Sequence, residues 1–195
     1  MNILTFDIEE WFHCDFISGN ESWKNHEVRI HRNTDFILET LTKYNRKGTF
    51  FILGWIAKKY PEVVKKIHAS GHEIGCHSLM HNLVHSLSPS GFKVDTRKAI
   101  DKIEQVIGEK LLMYRAPAFS INEDTPWAFE ILHELGITHD ASIFPATRDY
   151  GGFPSFGNAE PSIIEINGIQ IKEFPINIFK IFKTPIVFSG GGFFR

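Results

Sequence analysis

The sequence predicts an α/β domain assembled from βαβ units, on three observations. Short apolar runs alternate with amphipathic stretches of roughly 10–18 residues. Pro and Gly fall at the boundaries between them, where backbone conformation has to change. One hairpin signal, Asn167-Gly168, comes late, after the alternation has ended. In order, Ile3–Phe6 is a strand that ends in acids. Asn33 is a candidate cap for a helix running to Tyr44, with Phe36, Ile37, Leu41 and Tyr44 on its inner face. Gly48 stops it, and Thr49–Leu53 reads as a buried strand. Helical segments follow at Trp55–Tyr60 and Pro61–Ala69, the second with Pro at its first turn and Gly71 as its stop. His72–Cys76 is a short strand leading into a His-rich loop. Ser88-Pro89 opens a helix with Val94, Ala99, Ile103 and Ile107 inward, closed by Gly108. Leu111–Arg115 is a strand, Thr125-Pro126 starts a helix that ends at Gly136, and Ile137–Asp140 is a strand. Pro145–Pro161 reads as a long surface loop. Ile163–Ile166 and Ile169–Glu173 flank the Asn-Gly turn.

Such units build either an open doubly wound sheet or a barrel. A dinucleotide fold needs a Gly-rich turn after its first strand. Here that turn is Asp7-Ile8-Glu9-Glu10, which repels phosphate. Gly190-Gly191-Gly192 has no helix after it and is no phosphate loop.

The 195 residues are read as a single domain (1–195), long enough for a core without staples. A net charge of −2, from 21 basic and 23 acidic residues, offers no electrostatic case for nucleic-acid binding. Two cysteines, Cys14 and Cys76, exclude a disulfide scaffold and a CxxC zinc site. No signal peptide and no membrane-spanning run are found, which predicts a soluble, cytoplasmic protein. The 10 histidines raise the prospect of a metal site.

Strand ends in barrel-like α/β folds converge on one site. Here they carry Asp7, Glu9 and Glu10, then His77, then Arg115, then His139 and Asp140. His77 and His81 (HSLMH) have the i, i+4 spacing that joins two imidazoles on a helical turn or a tight loop. The alternative is a pair of solvated loop histidines. His85 is read as surface. His81–His85 lacks the Glu of a zinc protease, and His72-Glu73 lacks a second His at the right distance. Asp7 and Glu9 are i, i+2 and can face one side. One can complete a His/His/carboxylate triad and the other act as general base, or both can simply solvate the strand end. Arg115 can orient and ionise such a carboxylate, or form a plain salt bridge, and Asp140 can hold Arg115 from the next strand. Ala116-Pro117-Ala118 is a small-residue turn that lets substrate approach a backbone N–H. Trp11, Phe12, Trp23 and Trp127 can stack on sugars or pack the core.

TFDIEEW (5–11), RNTDFIL (32–38), GTFFILGWIAKKYPE (48–62), GHEIGCHSLMH (71–81), YRAPAFS (114–120) and THDASIFP (138–145), in this order, resemble the polysaccharide deacetylases of the NodB-homology type, carbohydrate esterase family 4. The likeness is nearest to the exosortase-associated, surface-polysaccharide branch, which the terminal SGGGFFR also resembles. The resemblance implies a distorted, seven-stranded (β/α) barrel. It implies a hydrolase that removes N-acetyl groups from a sugar of a polysaccharide or glycan precursor with a divalent metal, usually zinc. It makes Asp7 the catalytic base, His77 and His81 metal ligands, and Arg115 the residue that orients the base, with Asp140 in the partner motif. The Ala118 N–H falls in the oxyanion position.

Two departures stand out. The family's paired Asp-Asp is Asp7-Ile8 here, which moves the metal carboxylate to Glu9, with Glu10 an alternative. The family's late Leu-x-His, whose His is the general acid, has no counterpart after His139. Barrels of this kind typically need about 250 residues. A domain truncated at its C-terminus is therefore expected. Two rivals remain: a non-catalytic metal- and sugar-binding module that lost its acid, and a cyclic-imide or amide hydrolase, since the resemblance extends to a superfamily that includes such enzymes.

Overall fold

The computed structural model describes residues 3–13, 22–147, 151–181 and 184–187. Cys14, Gly190-Gly191-Gly192 and the rest of the terminal SGGGFFR run lie outside them, as does the segment on which the expected truncation turns. The chain divides into two compact units. One comprises Met1–Asn82 and Val94–Leu111, the other Leu83–Lys93 and Leu112–Arg195.

In the first unit, strands β1 (Thr5–Ile8), β2 (Thr49–Ile52) and β3 (Glu73–Cys76) run parallel. Ile8 pairs with Ile52 and Ile52 with Cys76. All four residues of β2 are buried, as a continuous apolar run in a parallel sheet requires. Helices α1 (Ile30–Lys43), α2 (Gly54–Lys59) and α3 (Pro61–Ala69) follow β1 and β2, and the body of α4 (Pro89–Ile107) joins them. Phe50, Leu53, Ile56, Val64, Ile67, Ile100 and Ile103 form the core.

Two helices differ from expectation. Helix α1 begins at Ile30, not after Asn33. Its first N–H groups are capped by a carboxylate from far upstream: Glu10 Oε1 accepts from Arg29 N (2.7 Å) and Ile30 N (2.8 Å). Its buried face is Ile30, Thr34, Leu38 and Leu41: Leu41 points inward as expected, whereas Phe36 and Tyr44 are exposed. On α4 the buried stripe is Phe92, Asp95, Thr96, Ala99, Ile100 and Ile103, and Val94 faces solvent. A buried Asp takes the place the pattern assigned to a Val.

The second unit holds strands β4 (Met113–Tyr114), β5 (His139–Asp140), β6 (Ser162–Ile166) and β7 (Ile169–Glu173) and helix α5 (Trp127–Glu134). β4, β5 and β7 are parallel neighbours, and β6 pairs antiparallel with β7. Asn167 (φ 49°) and Gly168 (φ 80°) make that turn, both left-handed as a two-residue hairpin demands. A further antiparallel pair, β8 (Ile178–Ile181) with β9 (Thr184–Val187), lies beyond the segment in which the sequence pattern resolves elements. The seven strands β1–β7 and the interleaved helices give the predicted α/β class. Among the described residues, no helix is long and apolar enough to cross a membrane.

Gly54 shows how tightly the first unit closes. A Cβ there would stand 2.8 Å from Ala99 Cα on α4 and 2.8 Å from the Leu79 side chain. Gly54→Ala should therefore destabilise the fold by about 1–3 kcal/mol through overpacking. A lowered urea midpoint checks this; an unchanged midpoint would show that α4 has room to shift.

Candidate metal centre

β1 carries Asp7, and Glu9 and Glu10 follow as the chain leaves the sheet. The two glutamates separate by task. Glu10 is buried and its carboxylate caps α1. Glu9 turns to the histidines: its Oε2 lies 2.9 Å from His81 Nε2. Asp7 Oδ2 stands 4.0 Å from His77 Nε2. One ligand atom each from Glu9, His77 and His81 can be chosen so that all lie within 4.8 Å of one another. The imidazoles are buried, whereas Asp7 and Glu9 keep 28% and 25% of their side-chain surface open to solvent.

The histidines reach this place on a loop, not a helix. His77 N donates to Ile52 O (2.9 Å) and continues the β3 register. Ser78 (φ 69°) and His81 (φ 62°) are both left-handed, a conformation that costs non-glycine residues energy and persists only where the surroundings impose it. The imposing contacts are visible. Gly54 N and Trp55 N, at the start of α2, donate to Ser78 O (2.9 Å) and Leu79 O (3.0 Å). His81 N donates to Ser78 Oγ (3.0 Å). Asp95 takes the Leu79 N–H on Oδ2 (2.9 Å) and the Asn82 amide on Oδ1 (3.2 Å). Burial raises the Asp95 carboxyl, and these two bonds draw it back down. Periodicity gave no sign of Asp95, because a loop-holding acid on a helix has no sequence signature.

Two imidazoles and one carboxylate form the donor set of a catalytic zinc site with an open position. The residues fit such a cation. Glu9 Oε2 is buried and, among the described residues, has no neighbour but the His81 imidazole to answer its charge, a state that a cation between them relieves. His13, which sequence reasoning missed, lies in the same turn. Its Nδ1 accepts from Glu10 N (2.9 Å), and its own N–H returns to Glu10 O (2.9 Å). Burial lowers its pKa to about 4, His81 and His77 acting in the same direction and Glu9 opposing.

Among the aromatic candidates, Phe12 and Trp23 are core, packed on His13. Trp127 packs on Phe92. Trp11 is 41% exposed, with its indole N–H on Glu27 O (3.1 Å) and Arg29 over its ring. His85 is exposed, as expected.

The second unit gathers Arg115, Asp140 and Glu173, all buried. Arg115 Nε donates to Ala141 O (3.1 Å). Asp140 accepts from Ser142 N (3.0 Å) and Ser142 Oγ (2.8 Å), and Ser142 Oγ in turn accepts from Ala116 N (2.8 Å). Glu173 Oε1 accepts from Ile143 N (3.0 Å). Burial pushes both carboxyls up, and the Asp140 charge pushes Glu173 well above its ordinary range, against the pull of Arg115. Burial and the neighbouring Asp140 therefore favour the neutral form of Glu173. Sequence reasoning did not single out Glu173, although the alternation Ile169, Ile171, Glu173 puts it on the inward face of β7. In the turn Pro117–Phe119, Ala118 (φ 49°) and Phe119 (φ 54°) are left-handed in succession.

The family model for polysaccharide deacetylase matches residues 3–139, so the chain belongs to the polysaccharide deacetylase family. A second model, a domain of unknown function (DUF3473), matches residues 141–195. A peptidoglycan-N-acetylglucosamine deacetylase of Bacillus cereus is 31% identical over 81 residues, 42% of this chain and 30% of that protein. The peptidoglycan-N-acetylmuramic acid deacetylase PdaC of Bacillus subtilis is 34% identical over 91 residues, 47% of this chain and 20% of its own length. The chain thus spans less than a third of either relative. The crystal structure of a protein assigned as a polysaccharide deacetylase from Mycobacterium smegmatis superposes with a TM-score of 0.73 at 21% identity, over 97% of this chain and 64% of that one. A CE4-family pseudoenzyme from Bacillus anthracis gives 0.54 at 21% identity, over 69% of this chain and 41% of its own. At these identities the two structures establish the deacetylase fold.

The protonated Glu173 predicts a pH dependence. Its folded pKa lies above its unfolded value, so between the two the folded state binds the extra proton and stability falls as pH rises. Glu173→Gln keeps the shape without an ionisable proton and should flatten that fall as pH rises above the ordinary carboxylate range, where one proton is worth at most about 1.4 kcal/mol per pH unit. Urea midpoints across this range check it. A variant whose midpoint falls as steeply as wild type would refute the protonated state.

Proposed function

We propose that this chain is a metal-dependent deacetylase that hydrolyses the N-acetyl group of a glycan sugar. The observation that carries the reading is the Glu9–His77–His81 donor set with Asp7 beside it, inside the segment that the family model matches. Glu9, His77 and His81 would hold the cation, zinc in this reading, which when bound lowers the pKa of water toward about 7 and polarises a carbonyl. Asp7, partly open to solvent, accepts the proton of the attacking water. When the C–N bond breaks, acetate leaves and the sugar nitrogen needs a proton. Asp7 holds the proton taken from water and is placed to return it. Glu10 is excluded from ligation by its commitment to α1, which favours Glu9 as the carboxylate ligand.

Arg115, Asp140 and Ala118 keep the roles that the family resemblance gives them: base orientation, support of the Arg, and an oxyanion donor. The half-exposed ring of Trp11 supports a sugar-stacking role. The substrate class is supported by the relatives whose names specify peptidoglycan N-acetylglucosamine and N-acetylmuramic acid.

Acetate release from N-acetylglucosamine oligomers, measured beside zinc content, tests the reading. Asp7→Asn should lose at least about 100-fold in turnover while retaining zinc, the size of effect expected of a general base. Wild-type turnover in that variant would overturn the assignment of the base. His81→Ala should lose zinc and turnover together. Full zinc occupancy without His81 would overturn the ligand set.

A further inference from the structure

In the turn after β1, His13 Nε2 is buried and has no hydrogen-bond partner among the described residues. The tautomer follows from the other ring nitrogen. Nδ1 accepts the Glu10 N–H, so it carries no proton, and the neutral ring bears its proton on Nε2. The ring plane is fixed as well. Trp23, Trp55 and Phe12 meet it edge-on, with centroids at 4.4, 4.9 and 5.0 Å. Among the described residues His13 is thus a locked N–H donor without an acceptor, four residues from a carboxylate whose Oε2 is buried against His81 Nε2 alone. The two groups also feel each other, since Glu9 is the charge that favours the protonated His13 ring.

We propose that His13 is a positioning residue for the metal carboxylate: its Nε2–H donates to Glu9 when the centre is loaded, fixing the carboxylate that faces His77 and His81. The inference rests on the proposed metal centre. Carboxylate ligands depend on such outer donors, whose loss typically costs 10–100-fold in metal affinity. His13 is buried, so it acts through Glu9 and not on the substrate. It occupies a position that the family motifs quoted above leave unassigned.

The test is zinc affinity of the whole chain, by competition with a chromophoric chelator, together with the Co(II) absorption spectrum. Three variants separate the two ring nitrogens. His13→Gln keeps a donor at the Nε2 position and gives up the acceptor for Glu10 N–H. His13→Asn keeps that acceptor and gives up the donor. His13→Phe keeps neither. The Asn and Phe variants should bind zinc about 10–100-fold more weakly, with an altered Co(II) spectrum, and the Gln variant should stay within about threefold of wild type. The opposite order, Asn like wild type and Gln weakened, would show that His13 only braces the turn, and would overturn the proposal. Equal affinity in all three would do the same. Should Asn and Phe fail to fold, a folded Gln variant that binds 10-fold more weakly or worse still refutes it. Absence of zinc binding by wild type would remove the metal centre itself and the inference with it, whereas wild-type binding with unaffected variants removes the inference alone.

Discussion

Glu10 accepts two backbone N–H groups of α1 on one buried oxygen, and the proposed metal centre depends on that contact. A carboxylate bound to the first turn of a helix satisfies donors that have no partner within the helix and lies at the favourable end of its dipole. The contact ties the exit of β1 to the start of α1 across 19 residues of chain. With Glu10 held there, Glu9 is left to face the histidines. The backbone of the same turn is closed by the reciprocal pair between Glu10 and His13. One carboxylate is consumed structurally so that its neighbour can stay available.

The opposing wall of the site is built on a similar economy. A segment with left-handed Ser78 and His81 does not hold its shape by local preference. It is held because its carbonyls take the first N–H groups of α2, and because Asp95 reaches from α4 to its amides. Gly54 is the meeting point: its N–H caps the loop and its missing side chain lets α4 come close enough for Asp95 to reach. Helix packing and ligand placement are therefore one problem in this unit, not two.

This explains which parts were legible in the sequence. β2 declared itself because a fully buried parallel strand reads as an unbroken apolar run. The β6–β7 hairpin declared itself through Asn167-Gly168, whose conformations are local. Glu9, His77 and His81 were legible as a donor set because ligand chemistry restricts the residue types. The start of α1 was not, since its cap lies far upstream and leaves no mark near Asn33. On α4, Ala99 and Ile103 point inward as the pattern has them, whereas Val94 is displaced because Asp95 and Thr96 are buried polar residues, which a hydrophobic pattern counts as outward. His13, three residues from its partner Glu10, was hidden in an aromatic run. The roles of Glu10 and Asp95 escaped because their partners are distant in the chain.

The acidic residues of the two units also show what distinguishes a site from a structural cluster. Asp140 and Glu173 are more deeply buried than Asp7 or Glu9, and by burial alone they would seem the stronger candidates for chemistry. Their surroundings answer part of that demand. Both oxygens of Asp140 accept hydrogen bonds from Ser142, Arg115 supplies positive charge, and burial favours the neutral form of Glu173, whose Oε2 has no hydrogen-bond partner among the described residues. Glu9 is placed differently: its Oε2 lies 2.9 Å from His81 Nε2, one of the atoms that the proposed cation would take. A carboxylate set against two buried histidines, with Asp7 at hand, is a donor set that a divalent cation completes.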